Sequence, residues 1–161
     1  MDHTNAIFSA DRKYRYLLER IWDKTKPTVL FICMNPSIAD EKTNDPTATR
    51  CINFAKSWGF GSLVMMNLYA YVDTYQNNIW SPNVDSIGTD NDTRIIEIAK
   101  KIDKVVVAWG SGVCVHRAKE LYDKLCRENI DLWCFKKNKN GMPAHPLYQR
   151  KDTVLIKYKM G

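Results

Sequence analysis

Two short segments of the chain place polar side chains next to a proline. Residues 34–37 read Met-Asn-Pro-Ser and end an apolar run, and residues 145–148 read His-Pro-Leu-Tyr near the C-terminus. Because proline ends regular structure, each segment presents its polar side chain from a rigid loop. Ligand sites of α/β proteins are built from such loops at strand ends. The two segments together predict a reaction centre or a binding site.

The elements that position these segments follow from the hydrophobic pattern. Continuous apolar runs predict buried strands at 28–34, 63–67, 105–108 and 132–135. Helices are expected between them, one starting at Asp45-Pro46 and ending at Gly59, one starting at Asp90 or Asn91, and one carrying Val115, Ala118, Leu121, Tyr122 and Leu125. A further helix is expected after a cap at Asp11, with Tyr14, Leu17, Leu18, Ile21 and Trp22 on one face.

Strands that alternate with helices at this spacing predict an α/β fold. We expect a three-layer sandwich in which a mainly parallel four-stranded sheet carries helices on both faces. Asn35 and Asn67 each follow a predicted strand, the Trp109-Gly110 turn follows a third, and His145 comes after the fourth. Since ligands bind outside the carboxyl ends of such strands, these residues should meet at one edge of the sheet.

Composition sets the broad class. The chain has 161 residues, which predicts one domain over 1–161, and a net charge of +6, which weakly favours nucleic-acid partners. Five cysteines without metal-ligand spacing are interpreted as buried free thiols. With no apolar leader and no apolar run of 18 residues, the expected location is the cytoplasm, with no membrane partner. Neither a cofactor nor a metal is expected, and the oligomeric state stays open.

The order of motifs resembles two known families. Residues 35–37, 45–47, 67–68, 108–110 and 145–148 are similar to the family called domain of unknown function 1643 (DUF1643). Over most of its length the chain also looks like the uracil-DNA glycosylase superfamily. That second resemblance implies a glycosylase-like fold and an N-glycosidic reaction.

The resemblance also implies roles for individual residues. Asn35 corresponds to the residue that positions the attacking water, Asn67 to the asparagine that reads the base edge, and His145 to the donor at the leaving base carbonyl. Asn35 and His145 are therefore the candidate catalytic residues. The candidate substrate-binding residues are Met34, Pro36, Ser37, Asn67, Trp109, Gly110, Leu147 and Tyr148.

The chain departs from the superfamily pattern at two places. Ser37 stands where many members that use asparagine have glycine, and no serine follows His145-Pro146. Either change could abolish repair of duplex DNA. Leu147 or Tyr148 would occupy the place of the residue that fills the gap left by a flipped base. Read without the resemblance, Asn35 would be a turn residue, Asn67 a cap and His145 an exposed loop histidine.

Three further groups of residues can each be interpreted either as part of a functional site or as ordinary structural residues. Lys136, Lys137, Lys139 and Arg150 bracket His145 and could contact phosphates, or they could form a solvated basic loop. Trp80, Tyr69, Tyr71 and Tyr75 could stack on bases or pack in the core. Asp40, Glu41 and Asp45 could supply a general base or a metal site, but Asp45 is better explained as a helix cap.

The sequence therefore predicts a glycosylase-like domain that binds a nucleobase or nucleotide and hydrolyses or exchanges an N-glycosidic bond. An amide such as Asn35 can orient water but is a poor base, so the expected activity is modest. The alternative is a non-catalytic nucleotide- or nucleic-acid-binding module, an inhibitor or sensor that keeps the base pocket.

Overall fold

The computed structural model describes residues 3–73 and 79–161. In this part of the chain a central sheet is flanked by α-helices. The strands are β1 (His3–Phe8), β2 (Arg15–Ile21), β3 (Thr28–Cys33), β4 (Ser62–Asn67), β5 (Lys104–Val107), β6 (Leu132–Cys134) and β7 (Ile156–Lys157). The helices are α1 (Pro46–Ser57), α2 (Asn91–Ala99) and α3 (Val115–Arg127), and Pro146–Tyr148 forms a single 3-10 turn, η1.

The sheet is mixed and has seven strands in the order β1-β2-β4-β3-β5-β6-β7. Strand β3 runs parallel to β4 and β5, and β5 runs parallel to β6. The pairings β1-β2, β2-β4 and β6-β7 are antiparallel. The prediction of a mainly parallel, four-stranded sheet is therefore wrong. The strands it missed extend the sheet at both edges and supply all of its antiparallel pairings.

The helix predicted after Asp11 is also wrong, because that segment is a turn followed by β2. The Asp11 carboxylate accepts hydrogen bonds from Ser9 Oγ at 2.7 Å and from the backbone N–H of Lys13 at 3.0 Å, and this closes the turn between β1 and β2. Leu17 packs into the core on one face of the sheet and Leu18 into the core on the other. A strand buried on both faces loses the apolar–polar alternation, so its pattern resembles a helix.

The two faces of the sheet bury two hydrophobic cores. On one face, α2 and α3 cover side chains such as Leu30 and Ile32, and on the other face α1 covers Phe31. Fully burying one such side chain stabilises the fold by roughly 1.5–3 kcal/mol. The central strand β3 packs on both sides, so its C-terminal end is held rigidly where the loop carrying Asn35 begins.

Cysteine burial corrects one expectation. All five cysteines are free, and Cys33, Cys51 and Cys134 are buried as expected. Cys114 and Cys126 are exposed because they lie on α3 or at its start rather than in the core, so the prediction of burial is wrong for these two.

Among residues 3–73 and 79–161, no helix is long and apolar enough to cross a membrane.

Candidate functional site

A cavity of about 480 Å³ opens at the C-terminal ends of β3, β4 and β5. The turn after β5, the start of α1 and the start of η1 complete its wall. The cavity brings together all ten residues predicted as catalytic or substrate-binding: Met34, Asn35, Pro36, Ser37, Asn67, Trp109, Gly110, His145, Leu147 and Tyr148. Their chemical roles remain predictions.

The loop from β3 to α1 is held in place by two buried arginines of β2. Arg20 donates to the side-chain oxygen of Asn44 at 2.9 Å and to the carbonyl of Thr43 at 3.1 Å. Arg15 donates from Nη1 to the carbonyl of Ala39 at 3.0 Å. Strand β2, which the sequence pattern predicted to be a helix, therefore shapes one wall of the cavity.

Arg15 itself lines the cavity and is only 2% exposed. Its Nη2 donates to Oδ1 of Asn67 at 3.4 Å, and its buried Nε has no hydrogen-bond partner. Burial lowers the pKa of Arg15 to about 10, and the nearby Asp45 carboxylate opposes this shift. Among the described residues Arg15 has no direct ion pair, so it places a positive charge at the cavity wall that only the more distant Asp45 carboxylate offsets.

Asn35 is fixed by the backbone of the segment that follows β4. Its Nδ2 donates to the carbonyl of Asp73 at 2.8 Å and to that of Pro36 at 3.2 Å. Because two carbonyl acceptors require the amide nitrogen on that side, the orientation of the amide is settled. Within the described residues no hydrogen bond reaches Oδ1 of Asn35, so this atom can accept a hydrogen bond from a ligand or a water.

Asn67 ends β4 and is also 2% exposed. Because its Oδ1 accepts from Arg15, the amide presents Nδ2 as the donor that remains for a ligand. The backbone carbonyl of Asn67 accepts from Nδ2 of Asn91 at 2.8 Å, which ties the strand end to the first turn of α2. One acceptor position of Asn67 is therefore in use within the protein, whereas Nδ2 has no acceptor among the described residues.

His145 is the N-cap of η1. Its Nδ1 accepts from the backbone N–H of Leu147 at 3.2 Å, so in the neutral ring the proton lies on Nε2. Burial lowers the pKa of His145, with Asp45 acting in the opposite direction, and the ring is therefore neutral at pH 7. Nε2–H is then a donor that no described residue uses.

Gly110 is needed where it stands against His145. Its φ is +80°, a left-handed conformation that side chains rarely adopt. A Cβ at this position would lie 3.4 Å from Cβ of His145. The backbone N–H of Gly110 donates to the carbonyl of Pro143 at 2.9 Å, which joins the turn after β5 to the loop that carries the histidine.

Residues 147 and 148 lie at the rim, and the predicted phosphate-binding residues lie away from the cavity. Tyr148 is 82% exposed, and its ring centroid is 5.7 Å from that of His145.

The cavity wall includes none of the four predicted phosphate-binding residues, which are Lys136, Lys137, Lys139 and Arg150. Lys137 and Lys139 line a separate groove beside α3, and Arg150 pairs with Asp152. The structure therefore does not bring the basic tract to the candidate site.

Three charged residues line the cavity, and sequence reasoning missed two of them, Arg15 and Asp73. Arg15 gave no signal, because it sits in a segment interpreted as a helix. The sequence offered Asp45 as a possible general base or metal ligand but favoured a capping role; it does cap α1 through a 2.7 Å hydrogen bond from the N–H of Ala48, and it also lines the cavity. A carboxylate that closely follows a strand-end motif was the available signal.

The aromatic residues predicted to stack on bases, and the acidic residues considered as metal ligands, are not assembled into a site of either kind within the described residues. Tyr69 is buried in the core, and its ring packs edge-on against Trp80, with the centroids 5.7 Å apart. Tyr75 lies outside the described residues. Across residues 3–73 and 79–161, no group of three or more His, Cys, Asp or Glu side chains is placed to hold a metal ion.

The fold and the site define an α/β protein with a mixed sheet and a ligand cavity at the C-terminal edge of its parallel strands. The family described as "Protein of unknown function (DUF1643)" matches residues 15–147, and the chain belongs to this family. No curated protein and no solved structure matches the chain.

Proposed function

We propose that the cavity binds a nucleobase or nucleotide and that the protein hydrolyses or exchanges its N-glycosidic bond. The observation that carries this proposal is that three residues of one cavity wall each have a polar atom that no described residue uses. Oδ1 of Asn35 accepts, Nδ2 of Asn67 donates and Nε2–H of His145 donates. Donors and acceptors of fixed direction on neutral side chains suit the edge of a heterocyclic base.

The size of the cavity agrees with such a ligand. Pockets for small molecules are typically about 300–1,000 Å³, and this cavity has about 480 Å³. Trp109 lines the cavity as a residue but is only 1% exposed, and its Nε1–H donates to Sδ of Met142 at 3.4 Å. The indole nitrogen is therefore not available to a ligand. The motif order resembles that of the uracil-DNA glycosylase superfamily, and this resemblance agrees with the same ligand class.

The reaction chemistry assigns a role to His145. When an N-glycosidic bond breaks, negative charge grows on the leaving base, and a donor at the base carbonyl stabilises the transition state more than the ground state. A neutral histidine that donates from Nε2 does this without transferring a proton. Asn35 would orient the attacking water through its free Oδ1, in keeping with the sequence prediction.

A second candidate is a binding module without catalysis. The observation that favours it is the position of Asn35, whose Nδ2 is occupied by two backbone carbonyls and whose amide cannot take a proton from water. In that case the cavity keeps its affinity for a base but releases nothing.

Release of a free base separates the two candidates. The protein is incubated in excess with labelled oligonucleotides that carry modified bases and with free nucleotides, and the released base is detected. The hydrolase proposal expects release from at least one substrate and a lower rate with His145→Ala. A matched control is His145→Asn, which keeps an acceptor for the N–H of Leu147 but lacks the reach of Nε2. If no substrate releases base while one still binds, the hydrolase proposal is refuted and the binding module stands.

A further inference from the structure

Asp45 carries a charge that its capping role does not need. Asparagine, serine and aspartate cap helices about equally well, so the 2.7 Å bond from the N–H of Ala48 does not require a carboxylate. The side chain is buried, and no described cation forms a direct ion pair with it. The small exposed part of the side chain belongs to the cavity wall, so the carboxylate meets whatever occupies the cavity.

The unused oxygen of Asp45 is available to the cavity. Oδ1 takes the capping hydrogen bond, while Oδ2 receives none from the described residues, and Asp45 lies in the cavity wall. The other members of the acidic cluster are accounted for elsewhere. Asp40 accepts from the backbone N–H groups of Lys42 and Thr43, and Glu41 forms an ion pair with Arg12.

Two groups on other elements face the same carboxylate. Arg15 comes from β2 and His145 from the start of η1, and both line the cavity with Asp45. The Asp45 charge acts on both, since it raises the pKa of each against the effect of burial. The carboxylate and the guanidinium thus share one cavity without touching, and a ligand can lie between them.

We propose that Asp45 is a catalytic residue, the carboxylate that receives the proton of the attacking water and faces the sugar of the substrate. This inference rests on the proposed function and deepens it. In hydrolysis the bond between the sugar and the base nitrogen breaks, and its electron pair leaves with the base, whose carbonyl accepts from His145. Water adds to the sugar carbon and gives one proton to Oδ2 of Asp45. That proton then passes to the departed base anion, which leaves as a neutral base.

A carboxylate at this point supplies what Asn35 lacks. The sugar carries positive charge in an oxocarbenium-like transition state, and a nearby carboxylate stabilises that charge. Asn35 can hold the water by accepting one of its protons in a hydrogen bond, but only a carboxylate can remove the other. The site then has an orienting amide and a base at the two ends of the loop from β3 to α1, and a leaving-group donor at the start of η1.

The test compares Asp45→Asn with Asp40→Asn. The first variant retains a side chain that caps α1 and removes only the charge, while the second removes a charge from the same loop outside the cavity. We expect Asp45→Asn to lower single-turnover base release by about 100-fold or more, with base affinity within about threefold of the wild type and an unchanged unfolding midpoint. Asp40→Asn should release base at the wild-type rate.

A third variant separates a chemical role from a structural one. Asp45→Ser also caps α1 but leaves space beside the hydroxyl, so added formate should restore part of its lost rate and should not accelerate the wild type. If wild type and Asp45→Asn release base equally fast, or if formate restores nothing to Asp45→Ser, Asp45 is not the base. If the wild type itself releases no base, the proposed hydrolysis fails and this role fails with it.

Discussion

A substitution of Asn67 tests whether its side-chain amide donates a hydrogen bond to the ligand of the proposed site. Arg15 donates to Oδ1 of Asn67 at 3.4 Å, and the proposed function assigns Nδ2 as the donor to the ligand. Asn67→Asp keeps the shape and the contact with Arg15 but replaces the donor by an oxygen. We expect the ligand to lose one hydrogen bond and to meet a repelling oxygen, which costs roughly 1–3 kcal/mol. This corresponds to a base affinity about 5- to 150-fold weaker.

The stability of Asn67→Asp should not fall with its affinity. The new carboxylate gives the buried, unpaired guanidinium of Arg15 a charged partner, so the free energy of unfolding should stay near that of the wild type. Asn67→Ala instead leaves Nη2 of Arg15 without its acceptor and should cost roughly 1–3 kcal/mol of stability. The two variants therefore share the loss of affinity and differ in stability.

Calorimetric titration with uracil, uridine and uridine 5′-monophosphate measures the affinity, and urea unfolding measures the stability. The wild type is titrated first to select the probe that binds. Wild-type affinity in Asn67→Asp would refute the assignment of Nδ2 as the ligand-reading donor. Greater stability of Asn67→Ala than of Asn67→Asp would contradict the role given to Arg15.

Four further predictions concern the catalytic groups, the turn and the basic tract. Because burial lowers the pKa of His145 below its ordinary value of 6.5, the unfolded state binds this proton more readily. Stability should therefore fall as the pH drops from about 6.5 towards the folded pKa, and His145→Asn should flatten this part of a pH series of unfolding curves. Asn35→Ala should lower the rate of base release while leaving base affinity nearly unchanged, and equal losses in both would argue against a water-orienting role. Gly110→Ala should lower the unfolding midpoint and base affinity together, because it strains a φ of +80° and crowds the histidine; wild-type behaviour in both assays would contradict this packing. If Lys137 and Lys139 contact phosphates, log affinity for an oligonucleotide should fall with log salt by roughly 0.7–0.9 per phosphate, and neutralising both should flatten this slope; a salt-independent affinity would remove nucleic acid as the partner.

Much of the sheet and of the site followed from local signals in the sequence. The apolar runs at β3, β4, β5 and β6 are long enough to identify buried strands, and proline or glycine marks several of their ends. Asn35 and Asn67 could be placed at one edge because both follow strands that run in the same direction. Likewise, Asp45-Pro46 predicts the start of α1 because the cap and the proline act within a single turn.

Long-range contacts decided the rest, and no local pattern encodes them. Strand β2 looks like a helix in sequence, and it becomes a strand because β1 and β4 pair with its two edges. That pairing buries Arg15 in the cavity wall, where it donates a hydrogen bond to Oδ1 of Asn67. The sequence by itself determined which polar residues end the strands. The tertiary structure alone decided which hydrogen bonds these polar residues make and which charged residues, such as Arg15 and Asp45, lie beside them. These contacts join residues that are distant along the chain, so no local pattern in the sequence encodes them.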